Sequence, residues 1–107
     1  FSANSVRVSA ISVWEVAMLS KKGKIRLSPD PSSWLRRALD LPGLQLIDLP
    51  AEAALGAALL PDNISADPAD RFLVALARFN GMTLVTKDLN LLEYGAGGYL
   101  KVLDASA

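Results

Sequence analysis

The chain has 107 residues, a length that suits one domain with its own hydrophobic core. Its 11 basic and 11 acidic residues cancel, so the overall charge gives no indication of a nucleic-acid partner. Cysteine and histidine are both absent, which excludes disulfides, thiolate or histidine metal sites and histidine-based acid–base catalysis. Any metal ion must therefore be held by carboxylates.

No apolar run approaches the roughly 20 residues that a membrane-spanning helix requires, and no signal segment opens the chain. We therefore expect a soluble, cytoplasmic protein. The first residue is Phe1, and residues 1–5 read as the end of a preceding segment followed by a turn. We expect from this start that the chain is truncated at its N-terminus.

The apolar residues change repeatedly between a period of two and a helical period. Strands are predicted at 6–9, 44–49, 82–86 and 99–103, and helices at 11–19, 34–39, 51–60, 67–80 and 89–94. Ser32 or Ser33 is the predicted N-cap of the second helix, and Gly23 and Gly81 are predicted to end the first and fourth. Strands alternating with helices indicate a parallel sheet with helices on both faces.

Carboxylates occupy three of the predicted strand ends and helix starts. These are Glu15 in the first helix, Asp67 and Asp70 at the start of the fourth, and Asp88 after the third strand. The carboxyl ends of parallel strands meet at one edge of a sheet, where open α/β folds hold their ligands. Because Mg²⁺ takes oxygen ligands, converging carboxylates predict metal-dependent phosphodiester chemistry.

Each of these acids also has a purely structural explanation. Ser12 and Glu15 have the spacing of a capping box. Asp67 is a good N-cap, and Asp70 would stabilise the first helical turn that follows it. Asp88 can simply begin the short helix after the third strand. The sequence alone leaves the structural and the functional explanation open for each acid.

Other polar segments are weaker candidates. Lys21, Lys22, Lys24 and Arg26 form a local basic cluster that either guides an RNA backbone or ends a solvated helix. Arg71 is either a counter-ion to the nearby acids or a contact to a phosphate. The glycine-rich segment 95–98 lacks the strand-to-helix setting of a dinucleotide loop and is predicted to be a flexible turn.

Three segments carry a resemblance to a known family. They are VSAISVWEVA at 8–17, DPADR at 67–71 and LVTKD at 84–88. In order and spacing they closely resemble the PIN-domain ribonucleases, and most closely the VapC-type toxins of bacterial toxin–antitoxin pairs. The resemblance covers nearly the whole chain. It implies one PIN-like domain over residues 1–107, with a three-layer α/β/α fold and a mainly parallel sheet.

In that family four acids bind Mg²⁺ or Mn²⁺ and cleave RNA. The resemblance matches Glu15 to the second acid, Asp70 to the third and Asp88 to the fourth, with Asp67 in a supporting position. The first acid has no counterpart here, and neither do the family's first strand and the helical segment after it. The resemblance therefore implies an incomplete sheet, and a chain that either binds its metal weakly or borrows an aspartate from a companion segment.

We therefore predict a metal-dependent endoribonuclease toxin, or a truncated form of one, in which Glu15, Asp70 and Asp88 hold the metal and no organic cofactor is needed. The expected partners are an RNA substrate, a protein antitoxin and a second copy of the chain. An apolar groove near Trp14, Met18 and Trp34 is predicted to take an antitoxin helix or strand. The alternative is a catalytically inactive PIN-like module used for dimerisation or partner binding.

Overall fold

The computed structural model describes residues 6–62, 64 and 66–106, so the predicted turn over residues 1–5 lies outside the described part. The chain divides into two compact units, the first ending at Asp48 and the second beginning at Leu49. The first unit contains β1 (Val6–Ser9), α1 (Ala10–Lys21), α2 (Pro31–Leu39) and β2 (Leu44–Ile47). The second contains α3 (Ala51–Ala58), α4 (Pro68–Asn80), β3 (Leu84–Thr86), α5 (Leu89–Ala96) and β4 (Val102–Asp104).

In the first unit, β1 and β2 form a parallel pair, as the alternation of strands and helices predicts. Val6 lies opposite Leu44, and Ser9 lies opposite Ile47. The chain passes from β1 directly into α1, because the Ser9 hydroxyl accepts a hydrogen bond from the Ile11 amide at 3.0 Å and caps the helix. Ser9 is buried at this junction.

The C-terminus of α1 is a Schellman motif, as the glycine after the lysines predicts. Gly23 has a φ of 76°, a backbone conformation that residues with a Cβ rarely adopt. The Lys24 amide donates to the Leu19 carbonyl oxygen at 3.0 Å, which satisfies a carbonyl that the helix itself leaves without a partner. The basic side chains that follow α1 are therefore presented on a well-defined helix end.

The N-cap of α2 is Asp30, so the prediction that Ser32 or Ser33 caps this helix is wrong. One Asp30 oxygen accepts from the Ser33 amide and the other from the Ser33 hydroxyl, both at 2.9 Å. Pro31 occupies the first helical turn, where its missing N–H costs no hydrogen bond. Ser33 thus supports the cap as a donor.

In the second unit, α3 packs against α4, and the core forms between α4, α5 and the chain that leads into β4. The core side chains are Val74, Ala77, Leu91, Tyr94 and Leu100. Asp67 caps α4 and Gly81 ends it with a φ of 64°, which confirms both predicted boundaries. Among the described residues, every fully buried apolar side chain lies in this unit.

The strands β3 and β4 form the second parallel pair, with Leu84 opposite Val102 and Thr86 opposite Asp104. β4 begins later than predicted because Tyr99 stacks on Tyr94 and Leu100 is buried in the core. Both residues are therefore committed to packing before the strand starts. The predicted parallel pairing is confirmed, and each unit contains one two-stranded parallel sheet.

Gly95 lies inside α5, so the prediction of a flexible turn over 95–98 is wrong at this position. A Cβ at Gly95 would lie 2.4 Å from Val102 Cγ2 and 2.9 Å from Val102 Cγ1. The glycine therefore lets α5 pack directly on β4. The helix ends soon after it, and Gly98 has a φ of 89°.

The helices are short, and α4 is the longest at 13 residues. None of the helices within residues 6–62, 64 and 66–106 has the length and apolar character needed to cross a membrane.

Candidate metal centre

Asp67 and Asp88 are both N-caps in the second unit. Asp67 Oδ1 accepts from the Asp70 amide at 2.9 Å. Asp88 Oδ1 accepts from the amides of Asn90 at 2.8 Å and Leu91 at 3.2 Å. One oxygen of each side chain therefore caps a helix, as the structural explanation of these two acids predicts. Neither Oδ2 makes a hydrogen bond to a described residue.

The turn that presents Asp88 is also held from the strand side. The Asp88 amide donates to Thr86 Oγ1 at 3.1 Å, at the carboxyl end of β3. The side chain of Asp88 is therefore fixed between the end of a strand and the start of a helix. This is the position in which open α/β folds place ligand-binding residues.

Asp70 lies in the first turn of α4 and is half-buried. Burial raises the pKa of its carboxyl group, and the charges of Asp67 and Asp88 raise this pKa further. Its carboxylate accepts no hydrogen bond from any described residue. Asp70 is therefore a partly desolvated carboxylate beside two others, and within residues 6–62, 64 and 66–106 no donor stabilises its charge.

This arrangement fits a hard divalent cation. The available ligands are carboxylate oxygens, and the three aspartates lie close enough for their charges to interact. In the described part of the chain, no group of three or more acidic side chains is close enough to hold an ion by direct contact from all of them. Mg²⁺ keeps several of its waters and commonly takes only one or two carboxylates, so Asp70 and Asp88 suit it.

Glu15 lies in the middle of α1, in the first unit. Because Ser9 is the N-cap, Ser12 and Glu15 are both inside the helix, and the capping-box explanation of this pair is wrong. A structural role at the helix start is thus removed for Glu15. Its participation in the metal centre stays a prediction that rests on the resemblance.

The predicted RNA-binding residues lie in both units. Lys21, Lys22, Lys24 and Arg26 are all exposed at and after the end of α1. Arg71 donates from Nη2 to the Ala57 carbonyl oxygen at 2.8 Å, which joins α4 to the end of α3. This contact uses one of the five guanidinium N–H groups, so Arg71 retains donors for a phosphate. Contact between these residues and RNA stays a prediction.

The first unit has an apolar cavity, but only one of the three residues predicted to form the groove lines it. Trp34 lines a cavity of about 140 Å³ together with apolar side chains of α1, among them Val13 and Val16. Trp14 and Met18 do not line this cavity, and Trp14 is 55% exposed. Trp14 therefore presents a large apolar surface rather than contributing to a core.

Asp104 is a strand-end acid that the sequence analysis does not select. It lies at the end of β4 opposite Thr86, close in the sheet to the turn that carries Asp88. Its Oδ1 accepts from the Ser106 amide and hydroxyl, and these bonds lower the pKa of Asp104. The signal in the sequence is an aspartate directly after a predicted strand.

Comparison with known proteins identifies the fold family. The PIN domain model matches residues 2–97. The chain belongs to the PIN-domain family. This PIN domain is 35% identical over 92 residues to ribonuclease VapC22 of Mycobacterium tuberculosis, a match that covers 86% of this chain and 69% of the relative. The predicted PIN-like α/β fold and the resemblance to VapC-type ribonucleases are both confirmed.

A solved structure supports the same fold. The crystal structure of VapBC2 from Rickettsia felis, bound to a DNA fragment from the promoter, matches this PIN domain with a TM-score of 0.65. The match covers 92% of this chain and 74% of that chain, at 18% sequence identity. At this identity the likeness concerns the fold.

Replacement of Asp70 by asparagine is expected to raise the Tm of this PIN domain at pH 7 in the absence of divalent ions. Because the pKa of Asp70 is raised on folding, its ionised form destabilises the folded state at neutral pH. This penalty disappears as the pH falls below the ordinary aspartate pKa of 3.8. Thermal unfolding from pH 3 to pH 7 measures the effect.

The matched control is replacement of Asp30 by asparagine. Hydrogen bonds from Ser33 lower the pKa of Asp30, so its charge stabilises the fold at neutral pH and this stabilisation is lost as the pH falls. The two substitutions should therefore change Tm at pH 7 in opposite directions. A lower Tm for both variants would contradict the assignment of Asp70 as a destabilising charge.

Proposed function

We propose that this PIN domain is a divalent-metal-dependent endoribonuclease of the VapC toxin type, acting on RNA in the cytoplasm and restrained by a protein antitoxin. The observation that carries the proposal is the environment of Asp70. Its half-buried carboxylate lies beside two further aspartates and accepts no hydrogen bond from the described part of the chain, which is costly to a fold that has no cation to bind. The 35% identity to a VapC ribonuclease supports the same activity.

The side chains of Asp70 and Asp88 are the proposed ligands of Mg²⁺ or Mn²⁺, with Glu15 as a further ligand and Asp67 in support. When bound, the ion supplies a Lewis acid for the scissile phosphate and a water of lowered pKa, so that no histidine base is needed. The caps made by Oδ1 of Asp67 and Asp88 orient the second oxygen of each carboxylate. Arg71, adjacent to Asp70, has donors for a neighbouring phosphate.

A protein antitoxin is proposed because the related fold was solved as a VapBC complex. The apolar surfaces of the first unit are the proposed contact for an antitoxin helix or strand, around exposed Trp14 and the cavity beside Trp34. Tryptophan side chains supply large contact areas at interfaces. A second copy of the chain is proposed as a further partner.

The test of the activity is removal and return of the metal. The purified chain is expected to cleave single-stranded RNA with Mg²⁺ or Mn²⁺, to stop in excess EDTA, and to resume when either ion exceeds the chelator. Cleavage is followed on gels with an end-labelled RNA. Activity that persists in EDTA would contradict the metal requirement. A folded chain that cleaves no RNA even at saturating concentrations of either ion would favour the inactive interaction module.

A further inference from the structure

Two cavities of the second unit share one aromatic side chain, Tyr99. The first, here called the acidic pocket, has a volume of about 270 Å³ and is lined by Asp62, Asn90 and Glu93 on its polar side. The second, here called the cationic groove, has a volume of about 490 Å³ and contains Arg78 and Lys101. Tyr99 lines both.

The ring of Tyr99 is held in place and only partly covered. It stacks on the buried ring of Tyr94, with ring centroids 5.0 Å apart and an angle of 23° between the planes. Arg78 donates from Nη1 to the Tyr99 carbonyl oxygen. Tyr99 nevertheless remains 37% exposed. An aromatic ring that is held by its neighbours and partly exposed is a platform on which a nucleobase can stack.

The polar groups on the two sides of Tyr99 suit different parts of a nucleotide. The carboxylates and the amide of the acidic pocket accept hydrogen bonds from the N–H groups of a base edge. The exposed side chains of Arg78 and Lys101 are cationic and suit a backbone phosphate. A phosphate would be repelled by Asp62 and Glu93, so the acidic pocket suits the base and the cationic groove suits the phosphate.

We propose that Tyr99 and its two flanking cavities bind one nucleotide of single-stranded RNA, with the base in the acidic pocket and the phosphate in the cationic groove. This inference rests on the proposed ribonuclease function, because it names a second contact for the same substrate. Guanine is the preferred base, since its adjacent N1–H and N2–H groups can both be accepted by one carboxylate.

The nucleotide site is separate from the proposed metal centre. Asp70 lies in the first turn of α4 and Arg78 in its last turn. At a rise of about 1.5 Å per residue, the two positions are about 12 Å apart along the helix. The bound nucleotide is therefore not the one that is cleaved. Its role is to hold the RNA strand and to set which sequence reaches the metal centre.

The first test measures RNA binding without cleavage. A fluorescent hexanucleotide with 2′-O-methyl riboses, five uridines and one guanosine, is titrated with the full chain in EDTA and followed by anisotropy. Lys101→Glu is expected to weaken binding about five-fold or more at low salt, because a phosphate contact is lost. Lys101→Arg should bind the RNA like the wild type. Arg36→Glu, an equal charge change on exposed α2, should stay within about two-fold of the wild type.

The second test examines the ring and the base. Tyr99→Leu is expected to weaken binding about ten-fold through loss of stacking, whereas Tyr99→Phe should bind like the wild type. Circular dichroism establishes that both variants are folded. An all-uridine hexamer should bind more weakly than the hexamer with guanosine. Replacing the uridine 5′ or 3′ to the guanosine with 5-iodouridine should give a photochemical cross-link within residues 93–101.

The outcomes separate this inference from the proposed function. The nucleotide site is overturned if Lys101→Glu and Arg36→Glu bind the RNA with equal affinity, or if the wild type binds the two hexamers with equal affinity. If the chain nevertheless cleaves RNA, the proposed activity stands. If the predicted losses are seen in a chain that never cleaves RNA, the nucleotide site stands and the activity fails. Absence of any RNA binding by the wild type overturns the site.

Discussion

Replacement of Asp70 or Asp88 by asparagine is expected to lower metal-dependent RNA cleavage by about 100-fold or more, since each change removes a proposed metal ligand. Asparagine is close in shape to aspartate and keeps an oxygen that can accept the capping hydrogen bonds of Asp88. The fold should therefore survive both changes. Initial rates at saturating Mn²⁺, together with Mn²⁺ titration by calorimetry, measure the effect.

The control for a capping role is Asp30→Asn. Asp30 caps α2 in the same manner as Asp67 and Asp88 cap their helices, and it precedes a proline as Asp67 does. Asp30→Asn should leave the cleavage rate within about two-fold of the wild type. If Asp88→Asn and Asp30→Asn retain equal activity, the aspartates are helix caps and the metal centre must be abandoned.

Gly95→Ala is expected to destabilise the chain by about 1–3 kcal/mol, although alanine is the better helix former by roughly 1 kcal/mol. The new Cβ would lie 2.4 Å from Val102 Cγ2, a distance at which α5 and β4 must move apart. The expected fall in Tm is roughly 5–15 °C for a domain of this size. Thermal and urea unfolding measure the change.

Two further variants identify the clash as the cause. Gly56 is also a helical glycine, in α3, but a Cβ there would meet no atom within 4 Å. Gly56→Ala should therefore stabilise the chain by about 0.5–1 kcal/mol. Val102→Ala removes both methyl groups that the new Cβ would contact. When Val102 is already alanine, Gly95→Ala should therefore lower the free energy of unfolding by much less. Strictly additive effects of the two substitutions would contradict this explanation.

The helix starts show what can be predicted from local sequence. Asp67 followed by proline is a strong N-cap signal, and the structure confirms it. The same signal is present at Asp30 and Pro31, and it marks the start of α2 more reliably than Ser32 or Ser33 does. The start of the first helix is harder to predict, because Ser9 and Ser12 both precede apolar residues. The end of β1 at Ser9 selects between them, and strand pairing depends on the distant β2.

In the candidate site, too, local sequence predicts some features and tertiary packing decides others. Local sequence places Asp67, Asp70 and Asp88 at helix starts, and the structure confirms these positions. The interaction between Asp70 and Asp88 depends on how α4, β3 and α5 pack, which the spacing of residues does not specify. The late start of β4 has the same origin. It follows from the stacking of Tyr99 on Tyr94, a contact that periodicity cannot reveal.

The amide hydrogen bonds to Asp88 also affect how a cation would bind. Two backbone N–H groups and the end of β3 already restrict the rotamers of this side chain, so binding an ion would cost little further conformational entropy. The same bonds stabilise part of the negative charge and weaken the attraction for the cation. Asp88 should consequently favour an ion that exchanges rapidly over one that is permanently retained.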